Sequence, residues 1–142
     1  MEETTEDHPL VEVIEDVVRD HNRMWTSGTI AEDSVLRDVE EDLVASQYAP
    51  HFEGGVWHAA SGEEWLAGTA EAGAVGCGQG WSWSHQDLTV LPRSDDECVA
   101  TYRIVHSWGD ADRKPAQAIF LETWRRGDDG CWRLARHTAE KL

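Results

Sequence analysis

From residue 10 onward, apolar and aromatic side chains recur at three- and four-residue steps: Leu10, Val13, Ile14, Val17, Val18, His21, Met24 and Trp25, until "TSG" breaks the run. A stripe of that length predicts a long amphipathic first helix, with Pro9 suited to its first turn and Asp7 or His8 placed to cap it. "EDSVLRDVEEDLVASQY" carries the same period more weakly through Val35, Leu36, Val39 and Leu43, which predicts a second helix capped at Asp33 or Ser34. "SGEEW" has capping-box spacing, Ser61 to Glu64, and opens a third helix through Leu66 that dissolves in the glycine-rich "GAVGCGQG". Between the second and third helices, "YAPHFEGGVWH" reads as a short strand and a turn. From Trp81 the pattern alternates instead, in four segments, "WSWSHQDLTVL", "CVATYRIVHSW", "AQAIFLETWRR" and "CWRLARHTA", parted by "PRSDDE", "GDADRKP" and "GDDG".

Helices first and a four-strand meander afterwards, without βαβ alternation, predict an α+β fold: three N-terminal helices packed on one face of a mostly antiparallel sheet. If each hairpin is centred on its turn, on Ser94/Asp95, Ala111/Asp112 and Asp128/Asp129, the pairing follows. Arg125 then lies opposite Trp132, Thr123 opposite Leu134 and Leu121 opposite Arg136. One face gathers Trp81, Trp83, His85, Asp87, Tyr102, Ile104, His106, Trp108, Ile119, Leu121, Thr123, Trp132, Leu134 and Arg136. It is aromatic and aliphatic with a few ionisable groups, and is expected under the first helix. The opposite face gathers Val99, Thr101, Arg103, Val105, Phe120, Glu122, Trp124, Arg133 and His137, a mixed surface expected to face outward, toward water or a second subunit. Each register assumes that no bulge intervenes.

Composition narrows the partners. Acidic residues number 28 against 12 basic, a formal charge of −16, and fourteen of the acids with only three of the bases fall within residues 1–50. Such a field repels phosphate backbones and anionic lipid, so neither nucleic acid nor a membrane surface is an expected partner, and solubility is the plainer reading of the acid. Residues 1–8 read as a disordered acidic N-terminus and 9–142 as a single domain. Cys77, Cys98 and Cys131 are an odd count at wide spacing, which predicts reduced thiols in a cytoplasmic protein. No basic segment followed by an apolar run opens the chain, and no apolar stretch is long enough to span a bilayer. Eight tryptophans outnumber two tyrosines and two phenylalanines together, supplying flat apolar walls for a core or a pocket.

The order of these elements, ending in "ETWRRGDDGCWRLARHT", resembles the nuclear transport factor 2-like superfamily, and its small bacterial SnoaL-like members in particular. The terminal hairpin carries the resemblance most specifically, through Trp124, Arg125, Arg126, Gly130, Trp132, Arg133, Leu134 and His137; "YRIV" and "FEGG" match more loosely. The likeness extends over residues 9–140. It implies a cone-shaped barrel with a strongly curved sheet, a cavity open at one end between sheet and helices, and homodimers through the outer sheet face. Catalytic members of that superfamily, among them ketosteroid isomerases, scytalone dehydratase, polyketide cyclases and limonene epoxide hydrolases, carry Asp, His, Tyr or Arg in the cavity. Other members have no known activity, and one fold hosts many functions. The ending "ARHT" departs from relatives that carry a second histidine or a serine there.

On this reading Asp87, His85 and His106 are the candidates for acid–base catalysis, because desolvation by tryptophan raises an aspartate pKa and depresses a histidine's. The alternative places Asp87 in water at a strand end and the histidines at the rim. Trp25, Trp81, Trp83, Tyr102, Trp132, Arg136 and His21 are the candidate ligand contacts, with Arg136 able to hold an anionic oxygen or else a structural salt bridge. His51, Glu53 and His58 flank "FEGGVW" near the implied pocket mouth, or lie in an exposed loop. Glu122, Arg103, Arg133 and His137 read as an ion network on the outer face. No histidine pair has helical i, i+4 spacing and no phosphate-loop motif is present, so no metal or other cofactor is expected; "GAVGCGQG" is a flexible entry to the sheet or a lid. Three functions follow: a small-molecule-binding homodimer whose Trp-rich cavity holds a small hydrophobic ligand, an acid–base enzyme acting on a polyketide- or terpenoid-like substrate, or a protein-interaction module using the Trp124 face.

Overall fold

The computed structural model describes residues 9–27, 39–68, 82–107 and 114–142. The expected first helix is present as α1 (Pro9–Ser27), with Val11, Ile14, Val18, His21 and Asn22 on its buried face and Val13 turned outward. Arg19 bridges Glu15 and Asp16 on its exposed side, at i, i+4 and i, i+3 spacing. The expected second helix is overturned over its described part: β1 (Val39–Tyr48) is a strand. Val39 and Leu43, four apart, suit one face of a helix and one face of a strand equally; Ala45 and Gln47 continue the period of two. Pairing on both sides, with β6 and β2, decides between them. Residues 28–38 lie outside the described residues.

A tight turn with a 3₁₀ segment, Glu53–Gly55, leads to β2 (Val56–Ala59), so the strand and turn expected in "YAPHFEGGVWH" are present. The capping box forms: Ser61 Oγ accepts from the Glu64 amide at 3.1 Å, and Glu64 reaches back to the Ala60 amide at 2.9 Å. It opens a short helix over residues 62–68, here α2. Gly68 must be glycine, because a Cβ there would run into the Trp57 indole. The stretch "GAVGCGQG", the N-terminal residues 1–8, and Trp81 and Trp108 lie outside the described residues.

The meander follows as β3 (Ser82–Ser94), β4 (Glu97–Ser107), β5 (Ala116–Arg126) and β6 (Trp132–Lys141). The sheet has six strands in the order β2-β1-β6-β5-β4-β3. Among the described residues only β1 with β6 is parallel, so the sheet is mixed and mostly antiparallel, and the fold is α+β as expected. Helix α1 lies against β3 and β4. No helix among the described residues is long and apolar enough to cross a membrane.

Register is where expectation and structure part. At the β5–β6 turn the last pair is Arg126 with Trp132, leaving five loop residues rather than an even number, with Gly130 at φ 81°. Above the turn Trp124 faces Leu134, but Thr123 faces Arg136, so Ala135 is an extra residue on β6. Tyr102 pairs with Phe120, one residue away from the register expected for β4 and β5. Each strand's alternation is real, but β5 is turned over. Phe120, Glu122 and Trp124 point inward with Tyr102 and Ile104, while Ile119 and Leu121 are about half exposed. Trp132 and Leu134 face inward as expected; past the bulge Arg136 faces out and His137 faces in.

Candidate functional site

Inward rotation of β5 brings a carboxylate into the core beside Tyr102 and His137. Glu122 and His137 are cross-strand partners, each 1% exposed. Glu122 Oε2 lies 2.7 Å from His137 Nδ1; its Oε1 accepts from the Tyr102 hydroxyl at 2.6 Å and from Trp124 Nε1 at 3.3 Å. From α1, Asn22 Nδ2 donates to the Tyr102 oxygen at 3.0 Å and to the Val18 carbonyl at 2.9 Å. Gln47 Nε2 lies 3.1 Å from His137 Nε2. A carboxylate accepts only, so His137 carries its proton on Nδ1; Nε2 is then an acceptor for the Gln47 amide, and every bond in the chain has a donor and an acceptor.

Aromatic rings wall this network. Trp65 of α2 lies 4.6 Å from the His137 ring and Phe120 meets it edge-on at 4.8 Å. Tyr102 packs against Phe120 at 5.3 Å, and His21 stands edge-on to Trp124 at 5.2 Å. Burial alone would push the Glu122 carboxyl up. The His137 hydrogen bond, the charge that His137 and His21 carry when protonated in acid, and the Tyr102 hydrogen bond outweigh it and hold the group below its ordinary value, so it is a buried anion. Burial, reinforced by that anion, drives Tyr102 well above the usual phenol range, so it stays protonated. Removing a carboxylate from water costs several kcal/mol unless donors replace the water, and three donors do so here.

No protein-family model matches the sequence, and no curated protein matches it in sequence. The architecture does match solved structures. A nuclear transport factor 2-like protein with a cystatin-like fold from Novosphingobium aromaticivorans superposes with a TM-score of 0.73 at 17% identity, over 92% of this chain and 80% of that one. The chain has a nuclear transport factor 2-like fold. A ketosteroid isomerase-like protein from Erwinia carotovora atroseptica is similar at a TM-score of 0.64 and 17% identity, covering 95% of this chain and 98% of its own. A provisionally named scytalone dehydratase from Novosphingobium aromaticivorans gives 0.71 and 16%, covering 92% and 83%. Identities this low speak for the fold alone.

Within the nuclear transport factor 2-like fold, the residues picked out from sequence separate. Tyr102 lies at the centre of the network. His85 and His106 share its face and are half-buried; the His85 ring stands edge-on to Tyr102 at 5.6 Å. Burial lowers both histidine pKa values, against Glu122 and with Arg19 for His85, and with Lys141 for His106, which leaves both rings neutral at neutral pH. His21 is buried on α1, as expected. Trp132 is partly buried, with the Arg126 guanidinium 5.6 Å over its ring. The side chains of Trp25 and Trp83, and all of Trp81, lie outside the described residues.

Two candidates are corrected. Asp87 is the extra residue of a bulge in β3, in left-handed backbone at φ 58°; its side chain is 77% exposed and pairs with Arg103 at 3.1 Å. The bulge leaves it facing solvent, so it is no base in an apolar pocket. Arg136 is exposed on the outer face because the Ala135 bulge reverses the alternation past Leu134, so it contacts no inward ligand. The outer ion network dissolves likewise. Glu122 and His137 are inside, Arg133 pairs with Asp129, and Arg103 with Asp87. His51 and Glu53 are exposed in the turn, the loop reading, whereas His58 is exposed on strand β2, bonding Ser46 Oγ at 2.8 Å.

The sequence pattern does not point to Asn22, Gln47, Trp65, Glu122, Trp124 or His137 as site residues. One signal was present: Glu122 sits between Phe120 and Trp124 at a spacing of two, so whatever encloses the two rings encloses the carboxylate.

Proposed function

We propose that the protein binds a small, hydrophobic molecule against the inner face of the sheet and moves a proton on it, with His137 as the acid–base group. One observation carries the reading: the Glu122 carboxyl group, out of water, lies 2.7 Å from His137 Nδ1. Fixing Nδ1–H makes Nε2 the basic atom, the arrangement by which a carboxylate orients a general base. Tyr102, kept as a phenol, commits its proton to Glu122 Oε1 and so helps hold the carboxylate that orients His137. Trp65, Phe120 and Trp124 offer flat walls of the kind a cone-shaped, Trp-rich cavity would present to a polyketide- or terpenoid-like ring. Similarity in fold to proteins named ketosteroid isomerase-like and, provisionally, scytalone dehydratase supports the same class of chemistry. Deuterium uptake from heavy water into flat cyclic ketones with acidic C–H bonds, followed by proton NMR, tests it. Wild type is expected to exchange at least about a hundredfold faster than Glu122→Gln; equal rates in the two proteins refute a proton-transferring role.

A second copy is the proposed partner, through the outer sheet face. Trp124 has no part in that surface. Val44, Leu91, Ile119 and Leu121, each close to half exposed on the outward side of β1, β3 and β5, supply the apolar area instead. Native mass spectrometry is expected to give twice the 15.9 kDa chain mass for wild type and the single mass for Ile119→Glu/Leu121→Glu. A monomeric wild type at high micromolar concentration removes the proposal.

A further inference from the structure

Among the described residues, six form the hydrogen-bonded network: Asn22, Gln47, Tyr102, Glu122, Trp124 and His137. Five of them are buried; Gln47 is the one that reaches water. It lies near the end of β1, opposite Trp57 of the four-residue edge strand β2. Both Glu122 oxygens are taken by donors, and the Tyr102 oxygen donates to Glu122 while accepting from Asn22. The chain therefore has one end open to exchange, the His137 Nε2 lone pair, and a single neutral amide occupies it at 3.1 Å. That bond is the weakest kind in the network, since it involves no charge, and it ends in the side chain with the most freedom to leave.

Resting on the acid–base reading above, we propose that Gln47 is a displaceable latch on His137, and that the site selects ligands carrying an acidic O–H, a phenol or enol, which takes the amide's place. Because Nε2 accepts, the displacing group must donate, and an O–H does so more strongly than an amide N–H. The step is balanced as a proton transfer. The ligand O–H bond breaks, the proton joins Nε2, and the ligand oxyanion stays against the imidazolium whose Nδ1–H remains on the Glu122 carboxylate. A ligand with no acidic hydrogen to offer Nε2 leaves the latch closed. Gln47 thus acts as a positioning residue, setting when and for whom the base is available.

The probe is 4-nitrophenol, added to full-length protein labelled with 15N-histidine, as wild type, Gln47→Ala and Gln47→Met. Met keeps the bulk of Gln but cannot donate. In wild type the His137 Nε2 resonance is expected to move toward its protonated position on saturation. Both variants are expected to bind about three- to tenfold more tightly than wild type, the worth of one neutral hydrogen bond that no longer has to be broken. Unchanged or weaker binding in both variants, or a gain confined to Gln47→Ala, overturns the latch while a moving Nε2 resonance leaves His137 as the acid–base group. An Nε2 resonance that stays fixed in all three proteins at millimolar probe overturns both.

Discussion

Glu122→Ala lowers the unfolding free energy by about 3–5 kcal/mol at neutral pH, the usual cost of removing one partner from a buried charged pair. The reason is what it leaves behind. The Tyr102 hydroxyl, Trp124 Nε1 and His137 Nδ1 all aim at the two carboxylate oxygens. Truncation orphans all three donors in a place where no group is more than a few per cent exposed. Each unsatisfied buried donor costs about 1–3 kcal/mol, with relaxation recovering part of the sum. Glu122→Gln costs less, about 1.5–3 kcal/mol, because the amide oxygen still accepts. If that oxygen keeps Tyr102 and Trp124, the amide nitrogen faces His137 Nδ1. His137 must then move its proton to Nε2 and Gln47 must turn its carbonyl inward to accept it. Urea unfolding checks the order wild type, Glu122→Gln, Glu122→Ala; an alanine variant within about 1 kcal/mol of wild type contradicts a buried, three-donor carboxylate.

Trp124→Ala is expected to lose about 3–5 kcal/mol, the range for emptying a large aromatic side chain out of a core. Trp124 is fully buried, packs edge-on against His21 and donates to Glu122, so the change removes packing and one donor together. Arg136→Ala, on the exposed outer face, should stay within about 0.5 kcal/mol of wild type. The pair measures sheet orientation by chemical denaturation, since an inverted β5 and β6 would exchange the two results.

The long helix and the four-strand meander were legible because each holds its period over several repeats. "AQAIFLETWRR" spans Ala116–Arg126, the strand that forms. β1 was not legible as a strand: a four-residue step between Val39 and Leu43 satisfies both periods, and only the distant β6 settles which one folds. The inner face of β5 was not legible either, since Ile119 and Leu121 are as apolar as their inward neighbours Phe120 and Trp124. With both sides apolar, the choice fell to loop parity and to one extra residue, Ala135, neither of which a hydrophobic pattern encodes. The same slip moved the candidate site. The pattern puts Tyr102, His85, His106 and His21 on the inner side because α1, β4 and the start of β3 keep their period, whereas it puts Glu122 and His137 on the outside with the strands that carry them.

Central to this account is a buried Glu122 anion that fixes the His137 proton on Nδ1. Long-range 1H–15N correlation of the histidine ring in ligand-free wild type at neutral pH tests that most directly. A protonated Nδ1 with an unprotonated Nε2, reversed in Glu122→Gln, is the expected result. A wild-type ring protonated on Nε2 alone would contradict it, because the carboxylate would then face a nitrogen with no hydrogen to give.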